Sequence, residues 1–314
     1  MNDLFEIIDE AESIVLLTHE NPDGDAIGSV LAMYNYLISL GKSVDMILPD
    51  VPYIYRDLVG INNAILNTNK EYELGIILDC ATKERIGANS DVFGRCNKTI
   101  VIDHHISNTK YGDINIVDGK NPATCQFLYE IFSKYEIDFS KNSLIPLAIG
   151  IITDTGGFDN GNTNSNTFYI MSELMKNGID IPYLKRIYYT SESKAQHQLR
   201  TIANDRLELL CDDKIAFTYI TLEDFEKTNA KVGDHEGIVD IGRNINGVEV
   251  SICARECNEG YRISLRSNEY VDVSEVASAL GGAGHTRAAG CLIRKKIKET
   301  KETVIEEVKK YINE

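Results

Sequence analysis

Four times in the first 160 residues an apolar run stops abruptly on an acid or an imidazole. Ser13-Ile14-Val15-Leu16-Leu17-Thr18 runs into His19-Glu20-Asn21-Pro22-Asp23-Gly24-Asp25. Residues 74–78 end at Asp79, residues 99–102 end in Asp103-His104-His105, and residues 144–153 deliver Asp154. The first three runs have the length of buried strands; the fourth reads as a buried helix, too short to cross a bilayer. Between them, residues 28–40 and 123–135 carry apolar side chains at helical spacing (Val30, Met33, Tyr34, Leu37; Phe127, Leu128, Ile131, Phe132). Further short strands are expected at 43–48 and 114–117. Strands that alternate with helices give an α/β fold, a mostly parallel sheet with helices on both faces. In such sheets ligands bind outside the carboxyl ends of the strands, where these polar endings fall.

Beyond residue 165 the pattern changes. Helices are expected at 168–177 and 181–189, then a polar helical stretch at 191–210. Strands at 215–220, 248–254 and 262–265 follow, with helices near 273–280 and 302–311, the mixture of a smaller α+β domain. The expected organisation is a first domain over 1–190, a helical linker over 191–209 and a second domain over 210–314. Near the end stands Gly281-Gly282-Ala283-Gly284-His285-Thr286-Arg287-Ala288-Ala289-Gly290. Small residues there let a ligand approach the backbone, and backbone N–H groups in such a loop can cradle phosphate.

Charge and cysteine usage narrow the class. The 314 residues carry a formal net charge of −16, which argues against tight binding of long nucleic acid. Residues 1–200 hold 27 acidic and 16 basic side chains and residues 201–314 hold 21 and 16. The first part suits a metal site and the second could hold an anion. Seven cysteines without framework spacing read as free thiols in a reducing compartment, so a cytoplasmic protein is expected. Cys253 and Cys257 read as two residues on a strand, since no second pair follows. No apolar run reaches membrane-spanning length and no basic n-region precedes one.

Carboxylates and imidazoles on rigid strand ends are the donor set for a divalent cation. His19, Asp23, Asp25, Asp79, Asp103, His104, His105 and Asp154 are the candidates. With these motifs in this order, the chain resembles the DHH phosphoesterase family in its subfamily with a C-terminal DHHA1 domain. The C-terminal match is Arg266-Ser267 followed by Gly281-Gly282-Ala283-Gly284-His285 and Ala288-Ala289-Gly290. It departs at Ala283, where the family usually has glycine, which bears on backbone access for substrate.

The resemblance implies two divalent metal ions, manganese first and magnesium as the alternative. His19, Asp23 and Asp79 would hold one; Asp25, Asp79, His104 and Asp154 the other. Asp103 would support an imidazole and His105 would face the scissile phosphate. Arg262, Arg266, Ser267, Gly282, His285 and Arg287 would bind substrate. The implied type is the nanoRNase/pAp phosphatase. It hydrolyses very short oligoribonucleotides to nucleoside monophosphates and removes the 3′-phosphate of 3′-phosphoadenosine 5′-phosphate. Its partners are short RNA and small nucleotides, with no long nucleic acid and no membrane, and relatives suggest a homodimer. The alternatives are a phosphodiesterase for linear or cyclic di-adenylate, an inorganic pyrophosphatase or polyphosphatase, and a nucleotide sensor without turnover.

Overall fold

A computed structural model describes residues 2–137 and 140–312. The chain divides into two compact units, 1–191 and 192–314. The first contains strands β1 (Ser13–Leu17), β2 (Ser43–Ile47), β3 (Ala64–Ile65), β4 (Tyr72–Leu78), β5 (Cys96–Asp103) and β6 (Ile114–Val117). They form one sheet in the order β3-β2-β1-β4-β5-β6, and every pairing is parallel. The order reverses between β1 and β4, the switch point at which open α/β sheets place their ligands.

Alternate residues of these strands feed two cores, as the period of two requires. Ile14, Leu16, Leu74, Ile76, Ile100 and Ile102 face the larger one. Helices α1 (Asn2–Glu10), α2 (Gly24–Ser39), α4 (Thr124–Lys134) and α5 (Lys141–Asp154) pack there. Val15, Leu17, Ile77 and Val101 face the smaller core with Val92 of α3 (Ser90–Phe93) and Ile86. The expected α/β sheet is therefore the observed one, though α2 begins four residues earlier than its apolar stripe suggests. The unit closes with α6 (Ser165–Lys176), α7 (Ile181–Lys185) and a π-helical turn at Arg186–Thr190.

Two details position α2 and α5. Gly24 and Gly28 let α2 approach α5 closely: a Cβ on Gly28 would stand 2.5 Å from the Pro146 carbonyl oxygen, and one on Gly24 2.6 Å from Cγ2 of Thr153. Pro146 inside α5 frees the carbonyl of Asn142. Nδ2 of Asn35 on α2 donates to that oxygen at 2.9 Å.

The second unit holds β7 (Glu208–Leu210), β8 (Ile215–Ile220), β9 (Val250–Cys257), β10 (Gly260–Ser267), β11 (Ala283–His285) and β12 (Ala288–Ile293) in a mixed sheet ordered β11-β12-β10-β9-β8-β7. One face packs on α11 (Val273–Ala279) and α12 (Ile297–Lys309), which bring Val276 and Val304. The other carries α8 (Lys194–Asp205), α9 (Leu222–Thr228) and α10 (Asp240–Arg243). The stretch read as a connector, α8, buries Leu199 and Ala203 against Ile220 and Cys253 of this unit.

The glycine-rich segment is a hairpin, not a loop: β11 and β12 pair antiparallel around Thr286-Arg287. Its glycines serve strand approach, since a Cβ on Gly284 would meet that of Ala289 at 2.5 Å. Ala283 is exposed, so its methyl group does not crowd the hairpin. Cys253 and Cys257 both lie on β9 as free thiols.

Candidate metal centre

The carboxyl ends of β1, β4 and β5 deliver the site. His19 follows β1, Asp79 follows β4, and Asp103 closes β5 with His104 and His105 behind it. Asp23 is the N-cap of α2, its Oδ1 accepting from the N–H groups of Asp25 (3.0 Å) and Ala26 (3.1 Å), which explains why the loop carries an acid there. Asp25 sits in the first turn of α2, and Asp154 is the last residue of α5. The close α2–α5 packing brings these two acids to one place.

Three sets of side chains converge: His19, Asp23 and Asp79; Asp25, His104 and Asp154; and Asp79, His104 and His105. Nε2 of His19 lies 3.9 Å from Oδ2 of Asp23 and 3.8 Å from Oδ2 of Asp79. Nε2 of His104 lies 3.2 Å from Oδ2 of Asp154, 3.5 Å from Oδ1 of Asp79 and 3.9 Å from Oδ2 of Asp25. Asp79 is thus common to both groups, one oxygen toward each imidazole. It adopts left-handed backbone (φ 54°), a conformation that costs a non-glycine residue about 1–3 kcal/mol and persists where the surroundings hold it.

The donor set fits a divalent cation. Nδ1 of His19 faces the Glu20 carbonyl at 2.8 Å and Nδ1 of His104 the Asn121 carbonyl at 3.1 Å. A carbonyl only accepts, so each Nδ1 carries a proton and each Nε2 is left facing the acidic cluster. Burial pushes the Asp25 carboxyl up against the lowering pull of His104, and Cys125. Burial and neighbouring acids push Asp79 and Asp154 well above the usual range. Buried carboxylates crowded this way repel one another until a cation offsets them. Oxygen and imidazole donors without a thiolate suit a hard or borderline ion.

A surrounding layer holds the donors, and most of it had no signature in the sequence. The N–H groups of Thr124 and Cys125, opening α4, donate to the two Asp25 oxygens at 2.6 and 2.9 Å. The Thr124 hydroxyl donates to Oδ1 of Asp79 at 3.0 Å. Asp103 accepts from Nδ1 of His105 (2.7 Å), the His104 N–H (2.9 Å) and Nδ2 of Asn108 (2.6 Å). Burial works to raise the Asp103 carboxyl, but those donors, His105 first, hold it below the usual range. His105 keeps Nε2 for another partner.

In the second unit Arg262 is exposed on β10, Arg266 half-buried and His285 exposed on β11. Ser267 and Arg287 are engaged in the hairpin itself. Ser267 is buried, its hydroxyl donates to the Thr286 carbonyl at 3.3 Å, and Nη1 of Arg287 reaches that hydroxyl at 3.3 Å. The same guanidinium donates to the carbonyls of Val271, at 3.0 Å, and of Glu269. Gly282 packs its backbone against Gly290 and Cys291.

Comparison with known proteins decides the family. The model of the DHH family, N-terminal domain, matches residues 13–151 and that of the DHHA1 domain residues 212–314. An uncharacterized protein of Methanocaldococcus jannaschii is 30% identical over 95% of this chain and 92% of its own. The chain belongs to the DHH family. The bifunctional oligoribonuclease and PAP phosphatase NrnA of Thermus thermophilus is 29% identical over 90% of this chain and 84% of that protein. A crystal structure of an exopolyphosphatase-related protein from Bacteroides fragilis superposes with a TM-score of 0.92 at 28% identity, covering 99% of this chain and 95% of that one. As a DHH-family phosphoesterase, the chain is a hydrolase. Among the described residues of this DHH protein, no helix is long and apolar enough to cross a membrane.

Proposed function

We propose that the chain is a manganese-dependent phosphoesterase that hydrolyses very short oligoribonucleotides to nucleoside monophosphates. It also removes the 3′-phosphate of 3′-phosphoadenosine 5′-phosphate. The observation that carries this reading is the double cluster centred on Asp79, with an imidazole Nε2 turned into each half. The activity named for the Thermus thermophilus relative supplies the substrate class.

His19, Asp23 and Asp79 would hold one ion, and Asp25, Asp79, His104 and Asp154 the other. Magnesium is the alternative metal. Such ions, when bound, acidify water and neutralise phosphoryl charge. The protein's own part is positioning and proton management. Asp103, held ionised by its three donors, accepts from Nδ1 of His105 and so leaves the Nε2 of that ring free to face the ester. That nitrogen can carry a proton to the leaving oxygen of the ester. Recognition falls to the second unit, through Arg262, Arg266 and His285, and the net charge of −16 favours short substrates over long strands.

The test is hydrolysis of a labelled RNA dinucleotide and of 3′-phosphoadenosine 5′-phosphate with and without manganese. Metal-dependent release of mononucleotides, abolished by His104→Ala and by Asp79→Asn, is the expected result. Phosphate release from pyrophosphate alone would replace this reading with a pyrophosphatase.

A further inference from the structure

The mixed sheet of the second unit contains a pairing that sheet energetics disfavour. Arg255 on β9 and Arg262 on β10 stand directly opposite each other in the antiparallel ladder, where like charges cost stability. Among the described residues neither guanidinium has a hydrogen-bond or ion-pair partner. The acids nearest in sequence are committed elsewhere. Glu256 accepts from the Leu222 N–H at 3.0 Å, and Glu259 pairs with Arg294 at 2.8 Å.

The flanks offer no compensation either. Arg255 has Ile220 beside it on β8, and Arg262 has Leu292 beside it on β12. Burial, reinforced by the charge of Arg262, pushes the half-buried Arg255 guanidinium below its ordinary pKa. Two guanidinium groups held together between apolar neighbours, with no acid to satisfy them, form a forked donor array that matches a phosphate.

The pair is distinct from the other cationic position on this face. Ser264 and Arg266 project to the same side two and four residues along β10, opposite Gly290 and Ala288. At the rise of a strand, Arg266 stands about 13 Å from Arg262.

We propose that Arg255 and Arg262 clamp a non-scissile phosphate monoester of the substrate. This is the terminal phosphate of a short 5′-phosphorylated oligoribonucleotide or the 5′-phosphate of 3′-phosphoadenosine 5′-phosphate. The proposal rests on the function argued above and adds a specificity element to it. A phosphate monoester carries about −1.5 to −2 charges at neutral pH and offsets both arginines, whereas an internal diester carries one and leaves the repulsion half-relieved. The clamp therefore selects chain ends over chain interiors.

The test separates this clamp from the catalytic reading by using metal-free protein in EDTA. Binding of AMP and of adenosine is measured by calorimetry in the wild type and in Arg255→Gln. The wild type is expected to bind AMP at least tenfold more tightly than adenosine, and Arg255→Gln to shrink that ratio to within threefold. The ligand-free thermal midpoint of Arg255→Gln should hold or rise by a degree or two, since removing one charge relieves the repulsion. Equal binding of AMP and adenosine by the wild type, or an unchanged ratio in the variant, overturns the clamp. So does inorganic phosphate binding as tightly as AMP, which would mark a free-anion site. A lower midpoint with equal losses for both ligands would assign Arg255 to structure and overturn it too. With manganese added, the ratio of kcat/KM for pApA over ApA should fall in the variant as the binding ratio does. If the wild type cleaves neither dinucleotide while the binding ratio behaves as expected, the catalytic reading fails and the clamp stands.

Discussion

Asp79 carries more of the site than any other side chain, because its two oxygens face different imidazoles. Among the described residues, the hydrogen bond that supports its side chain comes from the Thr124 hydroxyl. Groups that orient a metal ligand typically change metal affinity 10–100-fold when removed, so Thr124→Val should weaken manganese binding by that factor. His105 sits outside the proposed ligand set with its Nδ1 on Asp103. His105→Asn should lower kcat by about 10²–10⁴, the range for a general acid, with manganese affinity near the wild-type value. Metal titration beside steady-state kinetics distinguishes the two, and a His105→Asn protein that loses metal instead would place His105 among the ligands. The acids also set a pH dependence. Asp25, Asp79 and Asp154 have folded-state pKa values above their ordinary 3.8, so the metal-free folded state binds more protons than the unfolded chain. Its stability then falls as pH rises from about 4 through the raised values. Asp103, lowered from 3.8, opposes this only at more acidic pH. Manganese should therefore raise the thermal midpoint more at pH 7.5 than at pH 5; equal shifts at both would contradict the crowding of unneutralised acids.

At the scale of elements, the site depends on how closely α2 and α5 pack. A Cβ on Gly150 of α5 would stand 2.7 Å from Oδ1 of Asp25, besides meeting the Cys125 sulfur. Gly150→Ala should cost about 1–3 kcal/mol by overpacking and weaken manganese binding, because the atom displaced is a proposed ligand. Unfolding in urea, read with a metal titration, checks both; lost stability with unchanged metal affinity would confine Gly150 to packing. The parallel sheet, the seven acids and imidazoles of the cluster and the neighbouring Asp103 were legible in the sequence because a charged group at the end of a buried apolar run is conspicuous. Thr124, Asn108 and the Asn121 carbonyl were not, since a common residue type gains its role only when a distant segment folds against it. The hairpin of β11 and β12 has the sequence of a loop for a related reason. Strand signals rest on β-branched and aromatic residues, and here glycine and alanine are present to let two backbones approach. Arg255 likewise shows its meaning only beside its cross-strand partner, which register fixes and composition does not.

Across the whole molecule, chemistry and recognition are assigned to separate cores. Every proposed metal ligand lies between residues 19 and 154, in the unit spanning 1–191, and every arginine proposed for substrate lies in the unit spanning 192–314. Each unit has its own sheet and its own buried clusters, so the first can be expected to fold alone. A fragment of residues 1–191 should then keep a manganese-dependent rise in thermal midpoint, because its donors and their supporting hydrogen bonds are all internal to it. Its kcat/KM on the 5′-phosphorylated dinucleotide pApA should fall more than a hundredfold, because two lost arginine–phosphate contacts at about 1.5–3 kcal/mol each amount to that factor or more. The same fragment should hydrolyse a small activated ester such as bis-p-nitrophenyl phosphate at a rate closer to that of the full chain, since that substrate offers no second phosphate to recognise. A fragment that cleaves the dinucleotide within tenfold of the intact protein would move recognition onto the first unit and leave the arginines of the second without the role argued for them.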